Sequence, residues 1–246
     1  MMKVGKMIGR RGYGAGLLLL QAMLLVSCGA QPTPAPNPTV AATPETPAPP
    51  VIKPVAGPER LVLAFGDSLY AGYGLARGQS LPDAIQARLR AQGLNAMIVN
   101  AGVSGDTSAA GRQRLGFALD NLKRKPDLVL LGLGGNDVLR QIPPAETRAN
   151  LTAMLEELRD RKIAVILTGM RAPPNLGPDY VAAFDRIYPD LAKHYGATLY
   201  PFILDGVIGN RGLMQADGIH PNVTGVARIA DRLAPMMEQR LKEGAR

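Results

Sequence analysis

Short apolar runs alternate with helix-length amphipathic stretches from about residue 60 to residue 243. Near-continuous apolar runs of this length are typical of strands in a parallel sheet that is covered on both faces. The alternation predicts a three-layer α/β/α sandwich with right-handed crossovers and a parallel sheet of about five strands. The predicted strands are Leu61–Phe65, Ala96–Val99, Leu128–Leu133, Ile163–Thr168 and Thr198–Tyr200, and the predicted helices lie near 80–92, 108–124, 145–161, 179–195 and 222–242.

Residues 1–27 have the pattern of a signal peptide. Four basic residues precede the apolar run 15–26, which is too short to span a bilayer. The segment ends in Leu25-Val26-Ser27-Cys28, which resembles the lipobox of bacterial lipoproteins, where the cysteine becomes the acylated first residue of the mature chain. Lipidation of Cys28 would anchor the protein to a membrane. Ordinary cleavage after Ala30, with Cys28 discarded, is the alternative.

Residues 28–58 are rich in Pro, Ala and Thr, and such a segment buries too little apolar surface to offset its ordering entropy. We therefore expect an extended tether over 28–58 that holds the domain away from a membrane. The alternative is a disordered tail with no such role. One folded domain over 59–246 is expected to follow. Together these features predict an exported protein on the periplasmic side of a bacterial membrane, anchored through Cys28. Cys28 is the only cysteine, which excludes an intrachain disulfide.

The basic character of the chain does not indicate a nucleic-acid partner. The formal net charge is +8, but residues 1–27 hold four basic and no acidic residues, so the remainder carries +4. The chain has no Trp and four Phe, and no basic cluster is interleaved with aromatic residues.

The first candidate for chemistry is the serine in Gly66-Asp67-Ser68-Leu69, directly after the first predicted strand. Ligands of open α/β sheets bind outside the carboxyl ends of the strands, which is where a nucleophile would be needed. Gly, Asp and Ser are also ordinary turn residues. The tetrapeptide therefore gains meaning only if the chain also supplies a base, an orienting acid and an oxyanion hole.

Of the two histidines, His220 is the better candidate base. His194 lies near the end of a predicted helix, where a structural role is expected. His220 follows Asp217 by three residues in a turn that contains a glycine, so the carboxylate could accept a hydrogen bond from one ring nitrogen while the other nitrogen faces the serine. The alternative is turn and helix-entry chemistry by Asp217 and Asn222.

Two glycine-containing loops, Asn100–Thr107 and Gly132–Asp137, follow the second and third strands. Glycine lets a backbone N–H approach a substrate closely, and an Asn side chain adds a neutral donor. Both are what a developing oxyanion requires. Either loop could equally be a plain strand-to-helix turn.

Taken together, four blocks resemble the SGNH (GDSL) hydrolase family, and within it the bacterial periplasmic thioesterase, arylesterase and lysophospholipase subgroup. The resemblance spans roughly residues 60–240. The blocks are Gly66–Tyr73, Ser104-Gly105-Asp106-Thr107, Gly134-Gly135-Asn136-Asp137 and Met214–Pro221.

The resemblance implies a flavodoxin-like fold and a role for five residues. Ser68 would be the nucleophile and give one oxyanion donor through its own N–H. Gly105 would add a backbone N–H and Asn136 its side-chain amide. His220 would be the general base and then the general acid, and Asp217 would orient it.

Asp67 and Asp137 are expected to brace loops rather than to react. The Gly-x-Ser-x-Gly nucleophile elbow of α/β-hydrolases is absent, because Tyr70 replaces its second glycine.

The expected reaction is hydrolysis of a small acyl ester or thioester through an acyl-enzyme, without cofactor or metal, by a monomeric protein. Asp217 and His220 could be ligands of a metal, but no third ligand has matching spacing. The loop Gly169–Pro178, and Met170 and Leu176 in particular, is expected to border the acyl site. The alternatives are a carbohydrate O-acetylesterase of the cell envelope and a non-catalytic envelope-binding lipoprotein.

Overall fold

The computed structural model describes residues 54–244, and these form a five-stranded parallel sheet with helices on both faces. The strand order is β2-β1-β3-β4-β5, which is the flavodoxin-like order. The predicted fold class is confirmed. The strands are β1 (Arg60–Gly66), β2 (Ala96–Gly102), β3 (Leu128–Gly132), β4 (Ala164–Thr168) and β5 (Thr198–Tyr200).

Within the described range 54–244, eight α-helices and one 3₁₀ turn connect and cover these strands. The helices are α1 (Ser68–Ala71), α2 (Leu81–Ala91), α3 (Ser108–Asp120), α4 (Gly135–Leu139), α5 (Pro144–Asp160), α6 (Pro178–Asp185), α7 (Ile187–Tyr195) and α8 (Val223–Glu243), and the 3₁₀ turn is Pro174–Leu176.

Alternating side chains of the strands supply two separate cores. Val62 and Ala64 of β1 face α2 and α8, while Leu63 and Phe65 face α3 and the helices α5, α6 and α7. All four side chains are at most 1 % exposed. This two-sided burial is the physical reason for the uninterrupted apolar runs in the sequence.

The structure corrects the predicted elements at three places. The helix predicted near 108–124 ends at Asp120. Strand β2 continues to Gly102, because Asn100–Gly102 pairs in register with the end of β1 although its polar first residue ends the apolar run. The single helix predicted near 179–195 is two helices, α6 and α7, that meet at Arg186. Pro189 lacks the N–H that a continuous helix would donate to the carbonyl of Asp185.

The two shortest helices, α1 and α4, were not predicted because four and five residues are too few to show a helical period. Residues 54–58 carry neither helix nor strand. The predicted signal peptide, Cys28 and the remainder of the tether lie outside the described residues. Among the described helices, none has the length and apolar composition to cross a membrane.

A row of three glycines lies at the carboxyl end of the sheet. Gly66 pairs with Gly102 on one side and with Gly132 on the other. A Cβ atom at Gly66 or Gly132 would overlap the Tyr70 side chain, and one at Gly102 would overlap the backbone of α1. The bare strand ends therefore let α1 lie directly against the sheet, with the Tyr70 ring buried.

The variant Gly132→Ala should be destabilised, because the added methyl group meets the buried side chains of Tyr70 and Thr168. Overpacking of this kind costs about 1–3 kcal/mol. Gly116→Ala is the matched control, since its Cβ would meet only the ends of the Glu157 and Arg161 side chains, at 3.1 Å and 3.8 Å, and alanine favours the helix by about 0.5–1 kcal/mol. Urea unfolding measures both changes. Equal stability of the two variants would show that the glycine row is not required.

Candidate active site

Ser68 is the first residue of α1, directly beyond the carboxyl end of β1. The side chain of Asp67 accepts a hydrogen bond from Leu69 N at 3.1 Å and so caps the helix. The helix ends at Gly72, whose φ of 82° is the left-handed conformation that favours glycine. A single tight turn therefore holds the Ser68 hydroxyl at the edge of the sheet.

The turn before α8 brings His220 to this hydroxyl. His220 Nε2 lies 2.9 Å from Ser68 Oγ, and His220 Nδ1 lies 2.6 Å from Asp217 Oδ2. Because Asp217 accepts the Nδ1 proton, Nε2 is left as the acceptor for the hydroxyl proton of Ser68. The three predicted triad residues thus form one continuous hydrogen-bond chain.

Asp217 performs both tasks that the sequence left open. Its Oδ1 accepts hydrogen bonds from Ile219 N at 2.9 Å and from His220 N at 3.0 Å, which shapes the turn, while its Oδ2 orients the ring of His220. These hydrogen bonds lower the pKa of Asp217 to about 2, and the bond from the backbone N–H of His220 has the largest effect on this pKa. The carboxylate is therefore charged throughout the neutral pH range.

Gln215 connects the histidine turn to the serine turn, a role that the sequence did not reveal. Its side-chain amide donates to Tyr73 O at 2.7 Å and to Pro221 O at 3.0 Å, and its backbone N–H donates to His220 O at 2.8 Å. The ring of Tyr73 lies 4.5 Å from that of His220. Gln215 lies within the fourth sequence block, but its partner at Tyr73 is 142 positions away, which no local pattern shows.

The predicted oxyanion residues line the same cavity as Ser68. Gly105 has a φ of 87°, and its carbonyl accepts from Arg140 Nη2 at 2.9 Å, which ties this loop to the end of α4. The N–H groups of Ser68 and Gly105 donate to no acceptor within residues 54–244. One hydrogen of the Asn136 amide is used by Asp106 O at 2.9 Å, and the second remains for the cavity.

Arg114, a second residue without a sequence signal, holds the loop 103–107 against the sheet. This loop carries Gly105 and is here called the oxyanion loop. Its Nε donates to Asp106 Oδ2 at 2.5 Å, while Nη1 and Nη2 donate to Ala101 O at 2.8 Å and Gly66 O at 2.9 Å. The guanidinium lies 3.9 Å from the centre of the Phe65 ring. One side chain of α3 therefore joins the ends of β1 and β2 to the loop that carries Gly105.

Two buried carboxylates, those of Asp137 and Asp67, hold the short helices next to the site in place. Asp137 accepts hydrogen bonds from Ser108 N at 2.8 Å, from the Ser108 hydroxyl and from Thr147 Oγ1 at 3.0 Å, which ties α4 to α3 and α5. Asp67 is 3 % exposed and accepts only from Leu69 N among the described residues. Burial raises the pKa of Asp67 to about 6.

An apolar cavity of about 480 Å³ opens beside Ser68. The expectation for the loop after β4 is confirmed at Met170, which lines the cavity, and is wrong at Leu176, which packs against the core of α5, α6 and α7. The walls include Leu69, Val138, Met170, Pro173, Phe202 and Ile208. Phe202 and Ile208 were not predicted, although they follow the carboxyl end of the fifth predicted strand.

The remaining titratable candidates stand apart from this cavity. His194 lies near the end of α7 with its ring 4.7 Å from that of Tyr195, and it does not line the cavity. Within residues 54–244, no three His, Cys, Asp or Glu side chains are grouped so that they could hold a metal ion.

Asp67→Asn should change how stability depends on pH. Because folding raises the pKa of Asp67 from 3.8 to about 6, the stability from its protonated form is complete below about pH 4 and is lost as the pH rises through about 6. This difference corresponds to about 3 kcal/mol of unfolding free energy. Asn keeps the acceptor for Leu69 N but cannot ionise, so urea unfolding of the variant should weaken less between about pH 4 and pH 8.

The control for this experiment is Asp179→Asn, which makes the same change at an exposed position in the first turn of α6. Its stability should follow that of the unsubstituted protein across the same pH range. If Asp67→Asn follows it too, the buried carboxylate is not the source of the pH dependence.

The sequence and the fold of this chain were compared with those of known proteins, and both match one family. The sequence profile of the GDSL-like lipase/acylhydrolase family matches residues 64–228. The chain is 42% identical over 177 residues to "Esterase TesA" of Pseudomonas aeruginosa, covering 72% of this chain and 87% of that protein. It is 37% identical to "Thioesterase 1/protease 1/lysophospholipase L1" of Escherichia coli K12, covering 72% and 83%.

Among solved structures, the SGNH-hydrolase family esterase AlinE4 is similar at 51% sequence identity and a TM-score of 0.65, covering 75% of this chain and 97% of that chain. The sequence match, the strand order and the shared architecture agree with one another. The chain belongs to the GDSL (SGNH) hydrolase family and is a hydrolase of ester bonds.

Proposed function

We propose that this protein is an exported serine hydrolase that cleaves esters or thioesters of apolar acyl chains, with Ser68, His220 and Asp217 as its catalytic triad. One observation carries the proposal: the hydrogen-bond chain from Asp217 through His220 to Ser68 ends at the apolar cavity. The other features refine which substrates this chemistry reaches.

In the proposed reaction, Ser68 Oγ attacks the acyl carbonyl while its proton passes to His220 Nε2. The hydrogen bond from Nδ1 to the charged Asp217 stabilises the imidazolium that forms. The N–H groups of Ser68 and Gly105 and the free amide hydrogen of Asn136 bind the developing oxyanion. The proton on Nε2 then passes to the departing alcohol or thiol, and a water molecule, activated by the same nitrogen, hydrolyses the acyl-enzyme.

The composition of the cavity favours an acyl chain over a sugar. Its walls are mainly aliphatic and aromatic. Beyond Ser68, His220 and Asn136, the polar side chains of the lining are those of Asp67, Tyr73, Ser104 and Arg171. A carbohydrate O-acetylesterase would require several fixed polar groups for ring hydroxyls. The names of the relatives, which include esterase, arylesterase and thioesterase, support the same choice.

The location is proposed from sequence alone. The signal-peptide pattern of residues 1–27, the lipobox-like cysteine at position 28 and the Pro-rich segment 28–58 support a lipid-anchored protein on the periplasmic side of a bacterial membrane. We also propose that the protein is a monomer, because one chain carries all the residues of the site.

Ser68→Ala should lower kcat/KM for p-nitrophenyl acyl esters by about 10⁴-fold or more, because the nucleophile is lost. It should also abolish covalent labelling by a fluorophosphonate probe. Ser104→Ala is the matched control, since it removes another hydroxyl from the same cavity without touching the triad. Labelling that survives in the Ser68 variant would assign the nucleophile elsewhere.

Met170→Trp should shift acyl-chain preference toward short chains, because the larger side chain fills the cavity. Each methylene excluded from the apolar pocket removes about 0.8 kcal/mol, or about fourfold in kcat/KM. The measurement is the ratio of kcat/KM for octanoyl and acetyl esters, which does not depend on the folded fraction. Leu176→Trp, in the same loop but outside the cavity, should leave this ratio unchanged, and an equal shift in both would contradict the assigned wall.

A further inference from the structure

Exposed apolar side chains are concentrated at the carboxyl end of the sheet. Of eight large apolar side chains that the described residues expose, six lie in the segments between a strand end and the next long helix, at the end of the short helix α4 or at the first residue of α8. Exposed apolar residues scattered singly are ordinary, whereas a cluster of them marks an interaction surface. These six residues, here called the apolar rim, are Tyr73, Val103, Leu139, Ile208, Ile219 and Val223.

The rim is continuous with the acyl cavity. Tyr73, Leu139, Ile208 and Ile219 also line its walls, although between 43% and 59% of each residue is exposed. They come from the segments that follow β1, β3 and β5, so the rim surrounds the entrance rather than lying to one side. An apolar ligand that meets the rim would thus be at the opening beside Ser68.

The segments between the strand ends and the following long helices expose more unpaired positive charge than negative charge. Of their five aspartates, two are buried, two are paired with an arginine and one orients the ring of His220, whereas four exposed arginines have no carboxylate partner within residues 54–244. The aspartates are Asp67, Asp106, Asp137, Asp205 and Asp217, and the arginines are Arg77, Arg140, Arg171 and Arg211.

From the rim and the four arginines together we infer that this face docks on an anionic lipid surface, with the cavity entrance against the lipid. Exposed apolar side chains surrounded by arginine are the combination that binds at the interface of anionic bilayers. A second copy of the chain fits this face poorly, because a two-fold contact would place one set of arginines against the other. The lipid headgroups supply the missing negative charge.

The chain outside the described residues would bring the domain to such a surface. Position 28 precedes β1 by about thirty residues, and a Pro-rich segment extends about 3 Å per residue, so a lipid anchor at Cys28 would allow any face to reach the bilayer. The rim and the arginines then select which face does so. Docking in this orientation would let an acyl chain pass from lipid to cavity without crossing water. The anchor at Cys28 and this last step rest on the proposed function, whereas the rim and the arginines do not.

Fluorescence at single cysteines tests the orientation without any turnover. The full chain carries Cys28→Ser, so that an introduced cysteine is the only one, and an environment-sensitive fluorophore is attached at Ile208→Cys or at Phe117→Cys. Phe117 is 73% exposed on α3, away from the rim. With phosphatidylglycerol-containing vesicles, the label at position 208 should shift to the blue and be quenched by nitroxide lipids, whereas the label at position 117 should stay in water.

Charge variants supply the second arm. Arg77→Gln combined with Arg211→Gln should lower the ratio of docked to undocked protein about 30-fold, from about tenfold per 1.4 kcal/mol and about 1 kcal/mol per arginine near an anionic surface. Lys123→Gln combined with Lys125→Gln removes the same charge at the opposite end of the sheet, between α3 and β3, and should have little effect. All variants keep residues 1–53, so anchoring by that part of the chain is equal among them.

Three outcomes would overturn the inference. The labels at positions 208 and 117 respond alike to anionic vesicles, or the two charge variants weaken docking equally, or the rim label is shielded without vesicles as protein concentration rises, which would indicate a second copy. Because none of these readouts measures hydrolysis, loss of docking with intact Ser68 labelling refutes only this inference. The converse result refutes only the proposed catalytic assignment.

Discussion

The contact between the Tyr70 ring and the glycine row of the sheet is the constraint on which the site depends. Gly66, Gly102 and Gly132 remove every side chain from the ends of three neighbouring strands. The Tyr70 ring fills the space at Gly66 and Gly132, and the backbone of α1 fills it at Gly102. Its hydroxyl lies 2.8 Å from Thr168 Oγ1, so the contact extends to β4. Because Ser68 is two residues before Tyr70 in the same helical turn, the packing of this ring decides where the nucleophile stands.

Contacts between distant parts of the chain then fix the remaining groups relative to Ser68. Arg114 joins the oxyanion loop to two strand ends, Asn136 reaches across to Asp106, and Gln215 joins the histidine turn to the backbone of Tyr73. Each is a side chain of one segment that bonds to the backbone or carboxylate of another. Such preorganised donors need little rearrangement when charge develops on the substrate. The stability of the fold and the geometry of the site are thus maintained by the same hydrogen bonds.

The sequence was sufficient for the architecture and for the residues that could perform chemistry, because both leave local signals. Buried parallel strands are uninterrupted apolar runs, and glycine-rich blocks at their ends are visible without a structure. The residues that position the site leave no such signal, since Arg114 on a half-exposed helix and Gln215 in a turn are ordinary until their distant partners are known. Pro189, which divides one predicted helix into two, stands within an amphipathic pattern that continues across the break, so the pattern alone predicts one helix. The assignments for residues 1–53 stay predictions.

Part of the wall of the acyl cavity comes from positions that take no part in the hydrogen-bond framework of the chemistry. Met170 belongs to the loop after β4 and Phe202 lies shortly after β5, whereas the braces of the reacting groups join the first three strands to the turn that holds His220. Substitutions at these two positions can therefore resize the cavity while the nucleophile and its partners stay in place. The residues that set substrate range are therefore largely separate from those that perform the reaction. Related sequences can change which substrates they hydrolyse while they keep the same catalytic groups.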